Sequence, residues 1–94
     1  GVLFLGGVTR PPEGEHWRIE KRRTGDGTLV TEFGNGGVIQ TNPSSGNDEI
    51  RAMAVDRGSG LLWAAGFQKC GREFCWCVRA FRASDGAPVV GPAR

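Results

Sequence analysis

Three cysteines, one histidine and a scatter of carboxylates are the groups in this chain with chemistry to offer. Cys70, Cys75 and Cys77 stand in a C-x4-C-x-C spacing, and three readings of it compete. A Cys70–Cys75 disulfide would staple a short loop, add roughly 2 kcal/mol by loop closure and suit an extracellular setting. Cys77 is then left to pack as a small apolar residue. All three could instead be reduced structural thiols, since cysteine is among the most buried residue types. A zinc site needs four ligands, and no C-x2-C pair is present. His16 would complete such a set only if two separate loops met, so no metal is expected.

His16, the single histidine, would act as a general base only with an orienting carboxylate and a substrate proton in reach. Glu13 and Glu15 are near in sequence, but Glu15 and His16 point to opposite faces of a strand. No catalytic residue and no cofactor is expected. Asp26-Gly27, Asp85-Gly86 and Asn35-Gly36 read as turns, because these dipeptides supply positive φ and a self-capping side chain. Asn47, Asp48 and Glu49 are too few oxygen ligands for calcium. The glycines of Phe33–Gly37 are followed by no Lys-Ser/Thr and no helix, which rules against a phosphate loop.

The elements that must carry these groups are short strands. Apolar runs bounded by Gly, Pro, Asn, Asp or Ser occur at Val2–Leu5, His16–Arg22, Gly37–Thr41, Ile50–Asp56, Leu61–Phe67 and Trp76–Ala83. Glycine is abundant, 16 of 94 residues, as many tight turns demand. The chain also repeats itself. Sliding it by 59 positions pairs Gly1 with Gly60, Leu3 with Leu62, Gly7 with Gly66, Trp17 with Trp76, Arg23 with Arg82, Asp26 with Asp85, Gly27 with Gly86 and Val30 with Val89. These matches fall on strand cores and turn glycines, and Phe4 with Trp63, Arg10 with Lys69 and Ile19 with Val78 add similar pairs. Fixed-period self-similarity of this kind marks stacked units that bury their faces against neighbours.

Folded on that period, the runs make an all-β, antiparallel four-stranded unit: Ile50–Asp56, Leu61–Phe67, Trp76–Ala83 and a strand like Gly37–Thr41. The first two are apolar on both faces, as doubly covered strands must be. The third alternates in its first copy, Trp17 and Ile19 against Arg18 and Glu20, as a strand with one wet face does. A β-propeller blade has this gradient, its inner strands packed between neighbours and its outer strand wet. The chain then holds about one and a half blades: residues 1–41 supply strands two to four of one, residues 42–94 strands one to three of the next and the start of its fourth at Val89 and Val90. Trp17 and Trp76 are the expected packing anchors between units.

The stretch Phe33-Gly34-Asn35-Gly36-Gly37-Val38-Ile39, then Asp48-Glu49-Ile50-Arg51-Ala52-Met53-Ala54-Val55-Asp56, resembles the roughly sixty-residue repeats of the delta-sixty propeller family. Gly60-Leu61-Leu62-Trp63-Ala64-Ala65-Gly66, Trp76-Cys77-Val78-Arg79 and Asp85-Gly86 continue the likeness over nearly the whole chain. Lys69–Phe74, with its cysteines, departs from the family's small polar connector. The resemblance implies blades of a bacterial surface or secreted protein, with interaction surfaces more often than active sites.

Long irregular loops on a rigid scaffold are the usual seat of recognition. Val8–Glu15, Thr41–Glu49 and Gln68–Phe74 would share one face of a propeller, carrying Arg10, Glu13, His16, Asp48, Glu49 and Arg72 toward a protein or glycan ligand. The expected partners are other blades or copies of the chain itself, and the expected location is extracellular, at the cell surface or periplasmic. Two other functions fit the same strands: a segment of a quinoprotein-like oxidoreductase whose catalytic groups lie elsewhere, and a small self-assembling all-β subunit. A formal charge of +2 is too small a footprint for nucleic acid. No apolar run approaches the roughly 20 residues of a membrane-spanning helix. The lack of an initiator Met and of a basic-then-apolar leader points to a chain processed or cut from a longer one.

Overall fold

Wherever β-branched and aromatic residues alternate with polar ones between turn glycines, the chain is extended, as side chains suited to a pleated surface require. A computed structural model of the chain describes residues 1–9, 16–41, 49–70 and 72–89, without the side chains of 68–70. The strands are β1 (Val2–Thr9), β2 (His16–Arg23), β3 (Val38–Thr41), β4 (Glu49–Asp56), β5 (Leu61–Cys70) and β6 (Glu73–Arg82). They form two three-stranded antiparallel sheets, β1-β2-β3 and β4-β5-β6. Among the described residues there is no helix, and none that could cross a membrane.

The 59-residue period is written into the hydrogen bonds. β1 pairs with β2 in a register of Val2 with Arg23, and β5 pairs with β6 in the shifted register of Leu61 with Arg82. After each pair comes the same turn. Gly27 N–H donates to the Arg23 carbonyl (2.9 Å), as Gly86 N–H does to Arg82 (2.8 Å), and both glycines sit in the left-handed region at φ 76° and 77°. The Asp26 carboxylate accepts the Thr28 N–H at 3.0 Å and Asp85 accepts the Ala87 N–H at 3.0 Å. Val30 N–H then reaches the Lys21 carbonyl, and Val89 N–H the Ala80 carbonyl. Two stretches of different sequence thus make the same bonds.

Each sheet has three strands among the described residues, where the folded period predicts four. β4 lies outside β5, and the corresponding place beside β1 is empty among the described residues; β3 lies outside β2, and no named strand lies beyond β6. A strand 59 positions before β4 or after β3 falls outside the 94 residues.

One face of the first sheet packs on one face of the second. Trp17, Ile19 and Phe33 from the first meet Leu62, Ala64 and Phe81 from the second, with Phe4, Ile39, Ile50, Met53 and Cys77 around them. Polar bonds tie the sheets at this seam. The Trp17 indole N–H donates to the Phe67 carbonyl (3.3 Å), Lys21 Nζ to the Ala83 carbonyl (2.7 Å) and Gly34 N–H to the Asp85 carbonyl (2.7 Å). Lys21 also lies 5.5 Å from the Phe4 ring centroid, so an ammonium is held among aromatics.

Two loops are shorter than the sequence suggests. The first apolar run is bounded at Leu5 in the sequence, yet β1 runs on through Gly6 and Gly7 to Thr9. The Met53 side chain occupies the space that a Cβ on Gly6 would take, with Sδ at 2.7 Å, so the glycine is there for close packing. The stretch Gln68–Phe74 reads as a long connector, yet Gln68, Lys69 and Cys70 pair with Cys75, Phe74 and Glu73. Its aromatic and cysteine residues extend the ladder, and only residues 71 and 72 lie between the strands.

Candidate interaction face

Alternation along a strand sends successive side chains to opposite faces, so the register fixes what the uncovered faces carry. On the second sheet, Leu62, Ala64 and Gly66 turn toward the first sheet and are buried. The other face carries Ala52 and Ala54 of β4, Trp63, Ala65 and Phe67 of β5, and Phe74, Trp76 and Val78 of β6, with Ala80 buried at its end. Its middle is apolar, with Glu49, Arg51, Asp56 and Arg82 at its margins. Trp76 is 70% exposed and Phe74 60%, while Trp63, Ala52 and Ala54 are also exposed.

The aromatics on this face are organised. The Phe67 ring lies 5.2 Å from Trp76 and 6.1 Å from Phe74, both tilted, and the Arg51 guanidinium carbon stands 4.8 Å over the Phe67 ring. Tilted ring pairs at this separation each contribute about 0.5–1.5 kcal/mol beyond their buried area. Arg51 is placed there by the irregularity between Ile50 and Ala52, where β4 holds one residue more than its partner strand. Cys75, next to Trp76, is disulfide-bonded, and Cys77 is a free thiol whose side chain borders the core. The side chain of Cys70 lies outside the described residues.

The open face of the first sheet is different. It carries Leu3, Leu5 and Gly7 of β1 beside Arg18, Glu20 and Arg22 of β2. Glu20 is bracketed by two guanidinium groups, Arg18 Nε to Oε2 at 2.8 Å and Arg22 Nε to Oε1 at 2.9 Å. The hydrogen bonds from Arg22, then Arg18, hold its carboxyl below its ordinary value of 4.5. Asp26 and Asp85 are held low as well, the first by its backbone bond from Thr28, the second by Arg82. A carboxylate whose folded value is depressed contributes stability above its unfolded value, and that contribution is lost as pH falls through the folded one. The urea midpoint is therefore expected to hold steady from neutral pH to about pH 5 and fall below about pH 4.5, with Glu20→Gln costing about 1 kcal/mol at pH 7 and flattening the acid limb. An acid limb unchanged by Glu20→Gln would remove Glu20 from this account.

The residues expected to form a recognition face are dispersed. His16 opens β2 opposite Thr9, is buried, and its Nε2 has no hydrogen-bond partner among the described residues. Glu49 opens β4 and faces Arg51 at 3.4 Å. Arg72 is exposed between β5 and β6. No hydrogen bond or ion pair links these three among the described residues. Arg10, Glu13 and Asp48 lie outside the described residues. Trp76, expected to be a buried anchor like Trp17, is instead exposed, because among the described residues the sheet that covers Trp17 has no counterpart over Trp76.

Among the described residues no cluster of three or more His, Cys, Asp or Glu side chains is placed to hold a metal ion. Comparison of the chain with protein-family models, with curated proteins and with solved structures finds no match.

Proposed function

We propose that the chain is a binding or scaffold segment of a secreted or cell-surface β-propeller, about one and a half four-stranded blades of it, without catalytic work of its own. The observation that carries this reading is the repeated hydrogen-bond register: two strand pairs, 59 residues apart, share one register and are each followed by the same Asp-Gly turn. Units of this kind bury their faces only against one another. The large apolar face left on the second sheet is what a unit awaiting a neighbour presents. The disulfide at Cys75 favours an oxidising compartment, where such bonds persist. The likeness to delta-sixty repeats points the same way.

Antibodies raised against the chain, used on fractionated native source material, test the reading. The epitope is expected in the extracellular or surface fraction, on particles that electron microscopy resolves as rings of repeated sheets. Recovery from the reducing cytosol, or particles without a ring, overturns it.

A further inference from the structure

We infer that the open face of the second sheet, centred on Trp76, takes a second copy of this chain head to tail, through that copy's Leu3, Leu5 and Gly7 face. The inference rests on the repeat reading and adds the partner and the faces that meet. The pairing follows from the covered seam within one chain. There, the face of the first sheet bearing Phe4, Gly6, Val8, Trp17 and Ile19 is covered by the face of the second bearing Leu62, Ala64 and Gly66.

Shifting by 59 carries each side of that seam onto a partly exposed face. Phe4, Gly6, Val8, Trp17 and Ile19 become Trp63, Ala65, Phe67, Trp76 and Val78, the open face of the second sheet. Leu62, Ala64 and Gly66 become Leu3, Leu5 and Gly7 on the open face of the first. Leu3 and Leu5 are 39% and 47% exposed, whereas Leu62 and Ala64 are fully buried. Each chain therefore carries one whole half of the seam it makes internally and the central strip of the other, with Arg18, Glu20 and Arg22 standing where the internal half has Cys77, Arg79 and Phe81. Two copies can make it again between them.

The internal seam also supplies a specific bond. Trp17 donates its indole N–H to the Phe67 carbonyl. The counterpart of Phe67 in the first sheet is Val8, so Trp76 is placed to donate to the Val8 carbonyl of the second copy. The Lys21 bond has no counterpart, because Ala80 stands at the matching position. The surfaces that meet are different, so the contact is heterologous and repeats until a ring closes or a filament grows.

Light scattering across a concentration series tests this with the whole chain. Wild type is expected to exceed the mass of one chain increasingly with concentration. Trp76→Glu, and the double variant Leu3→Glu with Leu5→Glu, should each be monomeric with an unchanged far-ultraviolet circular dichroism spectrum. Mixed in equal amounts they should form a two-chain species and nothing larger, since each retains the face the other has lost. Trp76→Phe keeps a ring but not the donor and should weaken association about tenfold. If a charged variant fails to fold, Trp76→Ala and Leu5→Ala are read instead, each expected to weaken association at least tenfold.

A wild type that stays monomeric overturns the inference. So does a Leu3→Glu, Leu5→Glu variant that still associates while Trp76→Glu does not, because then like faces meet. Amide exchange on the same samples separates the two failures. Matched protection of the Val30 and Val89 amides in a monomeric wild type leaves the repeat standing and removes only the docking; loss of that match removes the repeat itself.

Discussion

Trp17→Ala is expected to lower the free energy of unfolding by about 3–5 kcal/mol, and Trp76→Ala by less than about 1 kcal/mol, when both are measured by urea denaturation at the lowest workable protein concentration. The residues are equivalent in the repeat, yet one is fully buried and the other 70% exposed. Truncating Trp17 opens a cavity among Ile19, Phe33, Leu62, Ala64 and Phe81 and removes the donor that ties the first sheet to the Phe67 carbonyl. A domain of this size has about 5–14 kcal/mol of stability in total, so the loss is a large fraction of it. Truncating Trp76 forfeits only its tilted contact with Phe67 and area already wet. Equal losses for the two variants would mean that Trp76 is covered within a single chain, and the open face would not exist.

The strands were legible in the sequence because their signals are local. Turn glycines and Asp-Gly pairs bound the runs, and all six expected strands form. What could not be read was which copy of a repeated residue is covered. Trp17 and Trp76 share a local context, and only the seam between the sheets separates them. Glycines misled for a related reason: Gly6 is in β1 because Met53 crowds it, a contact made across 47 positions of sequence. The expected recognition face suffered from the opposite problem. It was gathered from three loops, and Gln68–Phe74 proved to be mostly ladder, whereas the aromatic face arises from alternation within strands. Its signal was present in Trp63, Phe67 and Trp76, which were assigned to burial between units, and in Phe74, which was assigned to a loop.

The second large effect is expected at a pair of equivalent glycines. Gly66→Ala should cost about 3 kcal/mol in thermal and urea unfolding, and Gly7→Ala less than about 0.5 kcal/mol. Both lie in the same strand of the repeat, with ordinary backbone angles, so conformational freedom does not distinguish them. Their neighbours do. A Cβ on Gly66 would overlap the backbone carbonyl of Glu49 and come within 2.9 Å of the Ile50 Cα, where β4 bulges against β5. Backbone in a ladder cannot step aside as a side-chain end can, so the bulge that carries Arg51 over Phe67 must deform. A Cβ on Gly7 meets nothing within 4 Å, and among the described residues β1 has no strand beyond it. There the added methyl also removes some freedom of the unfolded chain, which offsets any small loss. Comparable destabilisation at Gly7 would show that the edge of β1 is filled by another strand, and the first sheet would then have four members instead of three.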